Sequence, residues 1–160
     1  LKTKTRVFKR FEIIKKLGDG AFGTVYEAYD CENKNQVAIK IEVKRRKFST
    51  VQKEAEILMK MQGNSHVLQY LGSGVENNYN YLLMEVAGKS VHDLLQRAPG
   101  KKFSLPVAAE FGYNFVEALE ELHNVGYLHR DVNPGNFVLK NAENLLRICI
   151  IDFGVAIKIE

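Results

Sequence analysis

The sequence predicts an α+β fold: a five-stranded antiparallel lobe carrying one helix, followed by the first part of a mainly helical lobe. Three observations lead there. Strand-like segments flank a glycine-rich turn at 18–23, a single helical stripe runs from Val51 to Met61, and beyond Gly88 the alternating pattern gives way to a long helical one.

Phe11–Leu17 and Thr24–Tyr29 alternate as strands on either side of the glycines. Gln36–Glu42 is a third strand, reached over the turn-forming run Asp30–Asn35. Val51, Glu54, Ile57, Leu58 and Met61 fall on one helical face, and Gly63 is placed to stop that helix. Val67–Leu71 and Tyr81–Glu85 complete the strands, with a polar loop at Glu76–Asn80 between them. After the connector Val86-Ala87-Gly88, Ser90–Arg97 reads as a short helix. Ser104 can cap a longer one with Val107, Phe111, Phe115, Ala118 and Leu122 on its apolar face. Phe137–Leu139 and Arg147–Ile151 are short apolar strands. The organisation is thus a first lobe over about 1–85, a hinge at 86–88 and the start of a second lobe over 89–160.

At 160 residues, with 46% hydrophobic and 26% charged, the chain suits one soluble domain or two small lobes sharing a seam. A net charge of +4 is compatible with acidic substrates or phosphate ligands and demands neither. Cys31 and Cys149 are too few and too far apart for a disulfide framework or zinc site, so reduced thiols in the cytoplasm or nucleus are expected. No apolar run approaches membrane-spanning length, no secretory signal opens the chain, and neither a membrane nor a nucleic acid is expected as partner. The chain starts at Leu1 without a Met and stops at Glu160 without a terminating signal, so both ends read as cuts in a longer protein.

Gly18-Asp19-Gly20-Ala21-Phe22-Gly23-Thr24-Val25 matches G-x-G-x-x-G-x-V. Alone it fits a plain hairpin, and a dinucleotide-binding turn shares its first six positions. That turn runs into a helix, whereas Thr24–Tyr29 alternates like a strand. A strand–glycine loop–strand hairpin covers phosphates with backbone amides. Val37-Ala38-Ile39-Lys40 sets a lysine inside an apolar strand, where its charge needs a partner. Glu54 is the candidate, because it shares the apolar helical stripe and points inward; Glu56 lies off it. His129-Arg130-Asp131 followed by Asn136 puts a carboxylate and an amide on one short loop, and Asp152-Phe153-Gly154 emerges from the apolar run 148–151. His66, His92 and His123 share no ligand spacing and read as structural or surface residues. The run Lys44-Arg45-Arg46-Lys47 reads as a solvated loop.

These four motifs, in this order, resemble the protein kinase superfamily over essentially the whole chain. Met61-Gln62-Gly63, Asn80-Tyr81 leading into Leu83-Met84-Glu85, Lys102-Phe103-Ser104-Leu105 and the stretch 129–137 are similar to casein kinase 1, nearest its tau-tubulin kinase branch. The resemblance implies a bilobal kinase fold, ATP and Mg2+, and serine or threonine acceptors in protein substrates, with acidic or pre-phosphorylated ones among them. It implies Asp131 as base for the acceptor hydroxyl, Lys40 and Glu54 on the phosphates, and Asn136 and Asp152 as magnesium ligands. The 18–23 loop would cover the nucleotide, with Met84 as gatekeeper and Glu85 and Val86 as the adenine-contacting hinge. Leu17, Val25, Ala38, Val138 and Ile151 would sandwich the base.

One position departs from the family's pattern. Serine/threonine kinases carry lysine two residues after the catalytic aspartate, and here that residue is Asn133. An asparagine brings a dipole and no positive charge, so weaker transition-state stabilisation is expected. The rival reading is therefore a catalytically impaired pseudokinase or ATP-binding scaffold. The segments that would follow Glu160 include the activation segment and peptide-binding surface, and without them the helix after Ser104 is expected to expose apolar surface.

Overall fold

The computed structural model describes residues 5–20, 23–44, 49–140 and 147–160. The chain forms two units, Leu1–Glu56 with Gln69–Val86 and Ile57–Leu68 with Ala87–Glu160.

The first unit is an antiparallel sheet of β1 (Arg6–Val7), β2 (Phe11–Gly20), β3 (Gly23–Asp30), β4 (Asn35–Val43), β5 (Tyr70–Glu76) and β6 (Tyr79–Met84), in the order β1-β2-β3-β4-β6-β5. The five expected strands are present, and the two-residue β1 adds an edge beside β2. Period-two alternation sorts one face into a core of Phe11, Ile13, Tyr26, Ala28, Val37, Ile39 and Leu83. Each such aliphatic or aromatic side chain taken out of water contributes about 1.5–3 kcal/mol. The turn after β3 is tied back by Asp30, whose carboxylate accepts from Arg10 Nε at 2.9 Å and Nη2 at 2.6 Å and from the Glu32 and Asn33 amides.

The fifth strand lies further along than its composition suggests. Val67 and Leu68 are buried, yet their carbonyls accept from Lys140 Nζ and Gln62 Nε2 instead of a neighbouring strand. They belong to the second unit. Pairing begins at Tyr70, in a stretch whose Gly72 and Gly74 weaken its strand signal. The loop expected at Glu76–Asn80 shrinks to Asn77-Asn78, with Asn77 left-handed at φ 54°.

Helix α1 (Thr50–Met61) follows β4 in sequence. The second unit continues with α2 (Val91–Arg97), α3 (Leu105–Asn124), β7 (Tyr127–Leu128), β8 (Phe137–Leu139), β9 (Ile148–Ile150) and β10 (Ile157–Lys158). Ser90 caps α2 in a reciprocal box with Asp93. Ser104 sits at the N-cap of α3 without a side-chain cap bond, and Pro106 removes one of the donors it would have served. Phe111, Ala118 and Leu122 of the expected α3 face are buried, and Phe115 stacks on Phe137 with centroids 3.7 Å apart. Val107 instead lies in the solvated first turns beside Leu105, with 43% and 82% exposure. His66 is buried and structural: Nδ1 meets the Ile148 carbonyl at 2.8 Å, and Glu121 of α3 accepts from the Ser65 and His66 amides. No helix among the described residues is long and apolar enough to cross a membrane.

Candidate active site

The first group of site residues lies in the sheet unit. Alternation on β4 turns Ala38, Lys40 and Glu42 to the face opposite Val37, Ile39 and Ile41. Cross-strand register adds Val25, opposite Lys40, and Met84, opposite Ala38, to that same face. Lys40 and Glu54 are only 6% and 4% exposed, and Lys40 Nζ donates to Glu54 Oε2 at 2.6 Å. Glu54 reaches the strand because Val51, Ile57, Leu58 and Met61 on its stripe are all buried, whereas Glu56 is exposed. Either charge alone at this depth would be strongly unfavourable; paired, they hold each other.

The glycine loop is a hairpin that continues into a strand. Gly20 pairs with Gly23, and β3 runs on from there, which excludes the strand–turn–helix of a dinucleotide site. Gly23 has φ 140°, and a Cβ there would stand 2.6 Å from the Ile41 carbonyl oxygen, so only glycine fits. Asp19 accepts from Lys16 at 2.8 Å and from the Thr24 hydroxyl at 2.7 Å, and these bonds, the one from Lys16 foremost, lower its pKa. Gly18 lies opposite Val25, and Leu17 sits unpaired at the adjacent bulge, 44% exposed. Ala21, Phe22 and the basic run 45–47 lie outside the described residues. At the end of β6, Glu85 turns its carboxylate to the Gln69 amide at 2.7 Å while its own amide donates to the Gln69 carbonyl; Val86 follows it.

The second group lies in the helical unit. Asn136 Nδ2 donates to both the carbonyl and the Oδ2 of Asp131, each at 2.8 Å, so the amide holds the carboxylate in place. The Ile151 amide donates to the Asn136 carbonyl at 2.9 Å, setting Asn136 beside the residue that precedes Asp152. Val138 is buried on β8 opposite Cys149, and Ile151 follows β9. Asp152 itself is left-handed, with φ 65° and ψ 71°, an uncommon conformation for a residue with a Cβ and one concentrated at functional sites. Phe153 behind it is buried and meets the His129 ring edge-on at 5.7 Å. Asn133 uses both ends of its amide locally: Oδ1 accepts from the Gly135 amide at 2.9 Å and Nδ2 donates to the Asp131 carbonyl at 3.1 Å.

A family model described as protein kinase domain matches residues 11–160. The chain belongs to the protein kinase domain family. Two relatives agree. A Dictyostelium discoideum protein, named provisionally as a serine/threonine-protein kinase, is 35% identical over 148 residues, covering 92% of this chain and 30% of the relative. A Caenorhabditis elegans protein, named provisionally as a casein kinase I, is 31% identical over 150 residues, covering 91% of this chain and 44% of the relative. The chain thus spans less than half the length of these curated relatives.

Kinase domains generally use ATP and Mg2+, and the donors of this kinase domain suit that metal. Asn136 commits its nitrogen to Asp131, which leaves its amide oxygen as a donor, and Asp152 adds a carboxylate. No cluster of three or more His, Cys, Asp or Glu that could hold a metal occurs among the described residues. Hard oxygen donors of this kind could serve magnesium, a cation that ordinarily binds one or two protein carboxylates together with water and phosphate.

Two residues of the 129–131 motif act through partners far along the chain. His129 joins the loop to the strand end: the Asp131 amide donates to Nδ1 at 3.3 Å, so Nε2 carries the proton and donates to the Ile151 carbonyl at 2.9 Å. Arg130, left-handed at φ 67°, donates from Nε to the Val155 carbonyl at 2.8 Å. Their place in the motif was visible, but their partners 22 and 25 residues away were not.

Proposed function

We propose that the full-length protein is a serine/threonine kinase of the casein kinase 1 type, nearest the tau-tubulin kinase branch, transferring the γ-phosphoryl of ATP to protein hydroxyls. The observation that carries this is the Asp131 carboxylate held by Asn136, whose backbone is bonded in turn to the residue before Asp152. A carboxylate so fixed can accept the proton of a serine or threonine hydroxyl as it attacks. Bound Mg2+ supplies charge neutralisation at the phosphates. Asn136 and Asp152 would hold that ion through their oxygens, and the Lys40 ammonium, steadied by Glu54, would take phosphate oxygens of the nucleotide. Val25, Ala38 and Met84 offer an apolar strip for the base, with Leu17, Val86, Val138 and Ile151 as further candidates.

A second reading, an ATP-binding pseudokinase, is favoured by one observation. Both polar ends of Asn133 are engaged inside the loop, and a side chain so used brings no cation to a transferring phosphate. We place the protein in the cytoplasm or nucleus on its two widely spaced cysteines, Cys31 and Cys149.

The test is incubation of the full-length protein with Mg2+ and γ-labelled ATP in a mixture of acidic, neutral and pre-phosphorylated Ser/Thr peptides, followed by phosphoamino-acid analysis. Phosphoserine or phosphothreonine is expected, with acidic or primed peptides favoured. Label on tyrosine alone would overturn the serine/threonine assignment.

A further inference from the structure

Glu42 stands two residues beyond Lys40 on the same face of β4, and its half-buried carboxylate gathers the start of α1. Oε2 accepts from the Ser49 hydroxyl at 2.5 Å and from Asn80 Nδ2 at 3.1 Å. Oε1 accepts from the Thr50 hydroxyl at 2.5 Å and from the Thr50 amide at 3.2 Å. Ser49 in turn accepts from the Gln52 amide at 3.1 Å, as a helix N-cap does. Asn80 is 2% exposed and faces Glu42 across β6. Burial pushes the Glu42 pKa up, yet the donors from Ser49, Thr50 and Asn80 together hold it below its ordinary value.

The spacing gives this cluster its meaning. Thr50 and Glu54 are four residues apart and lie on one helical face, about 6 Å along the axis. Glu42 and Lys40 are two residues apart on one strand face, about 6.8 Å along it. Glu42–Thr50 and Lys40–Glu54 are therefore two matched rungs between the same strand and helix. We propose that Glu42 is a positioning residue for the Lys40–Glu54 pair, fixing the register of α1 on β4 from one helical turn away. Without it the first turn of α1 loses its anchor, the rung at Glu54 drifts, and the 2.6 Å contact between Lys40 and Glu54 loosens. The consequence for nucleotide binding rests on the reading of Lys40 as a phosphate ligand; the register role itself does not.

The test uses the full-length protein with Glu42→Ala and Glu42→Gln. Acylation of Lys40 by a small amine-reactive ester, without nucleotide, is followed by mass spectrometry against Lys60, which donates to the Tyr127 hydroxyl in the second unit. Glu42→Ala is expected to speed acylation of Lys40 about 10-fold, the scale of hydrogen bonds to a charged group, with Lys60 unchanged. Its KM for ATP is expected to rise by about as much, with kcat falling less than about threefold. Glu42→Gln, which keeps an acceptor for Thr50, should recover part of both effects. Unchanged Lys40 acylation in a folded Glu42→Ala protein would overturn the proposal. So would a parallel rise at Lys40 and Lys60, because that is general loosening. Should Glu42→Ala not fold, an unchanged Lys40 rate in Glu42→Gln would overturn it as well. Faster Lys40 acylation with an unchanged KM for ATP would uphold the register role and sink the phosphate role of Lys40 instead.

Discussion

Lys40 Nζ lies 2.6 Å from Glu54 Oε2, and the two side chains are only 7% and 6% exposed. At that depth the pair is worth less as a source of stability than as a fixed charge, because burial of both ions offsets much of their attraction. Lys40→Met removes the ammonium that donates to the buried Glu54 carboxylate and should cost about 3–5 kcal/mol, read as a lower denaturant midpoint. The double change Lys40→Met with Glu54→Leu should regain most of that stability while ATP affinity stays lost. Recovery of both together would mean that Lys40 does not bind the phosphates.

Gly23 and Gly18 share a loop and differ in what they tolerate. At Gly23 a Cβ would meet backbone at 2.6 Å in a φ of 140°, whereas at Gly18 it would meet nothing within 4 Å. Gly23→Ala should cost roughly 1–3 kcal/mol and weaken ATP binding. Gly18→Ala should change stability by less than about 0.5 kcal/mol. Chemical denaturation of the two variants side by side checks the contrast.

Asp30 sets an acid limit on the sheet. The Arg10 guanidinium, first, and the amides of Asn33 and Glu32 bring its pKa from 3.8 to about 2 against the opposing effect of burial. A lowered carboxylate pKa contributes stability that is fully present above pH 3.8 and fades as pH falls through about 2. That contribution is about 2 kcal/mol. Asp30→Asn should remove it, flattening the pH dependence of unfolding free energy between those two values.

Asn133 has two separable effects. Asn133→Ala removes the bonds to Gly135 and Asp131 and should lower turnover a few-fold through a looser loop. Asn133→Lys loses the same bonds but adds a cation where charge develops. It should raise turnover on the order of 10- to 1000-fold, with little change in ATP affinity. Steady-state kinetics on the three proteins tests this. A fall in turnover with lysine as large as with alanine would show that the local bonds outweigh the charge.

How much of this could be read from residue order depended on the range of the interactions. Lys40 and Glu54 were legible because a two-residue alternation and a helical stripe each specify an inward side chain, and two inward opposite charges need each other. The strand at 70–76 was blurred because Gly72 and Gly74 dilute its pattern while Val67 and Leu68, apolar for another reason, imitate one. Val107 joined the apolar stripe by spacing, but the first turns of α3 stand in solvent, which periodicity alone does not disclose. Glu42 and His129 were missed as positioning groups because their partners, Ser49, Thr50, Asn80 and Ile151, are neighbours only after folding.

As the proposed base of the phosphoryl transfer, Asp131 is held by Asn136 Nδ2 at 2.8 Å. The most direct test of that role compares the full-length protein with Asp131→Asn, measuring turnover onto a Ser/Thr peptide and, separately, affinity for Mg-ATP. Turnover should fall about 10²- to 10⁴-fold, the range for losing a general base, while nucleotide affinity stays within about threefold. A full-length protein that binds Mg-ATP yet transfers no phosphate, or an Asp131→Asn variant as active as its parent, would show that Asp131 is not a catalytic base.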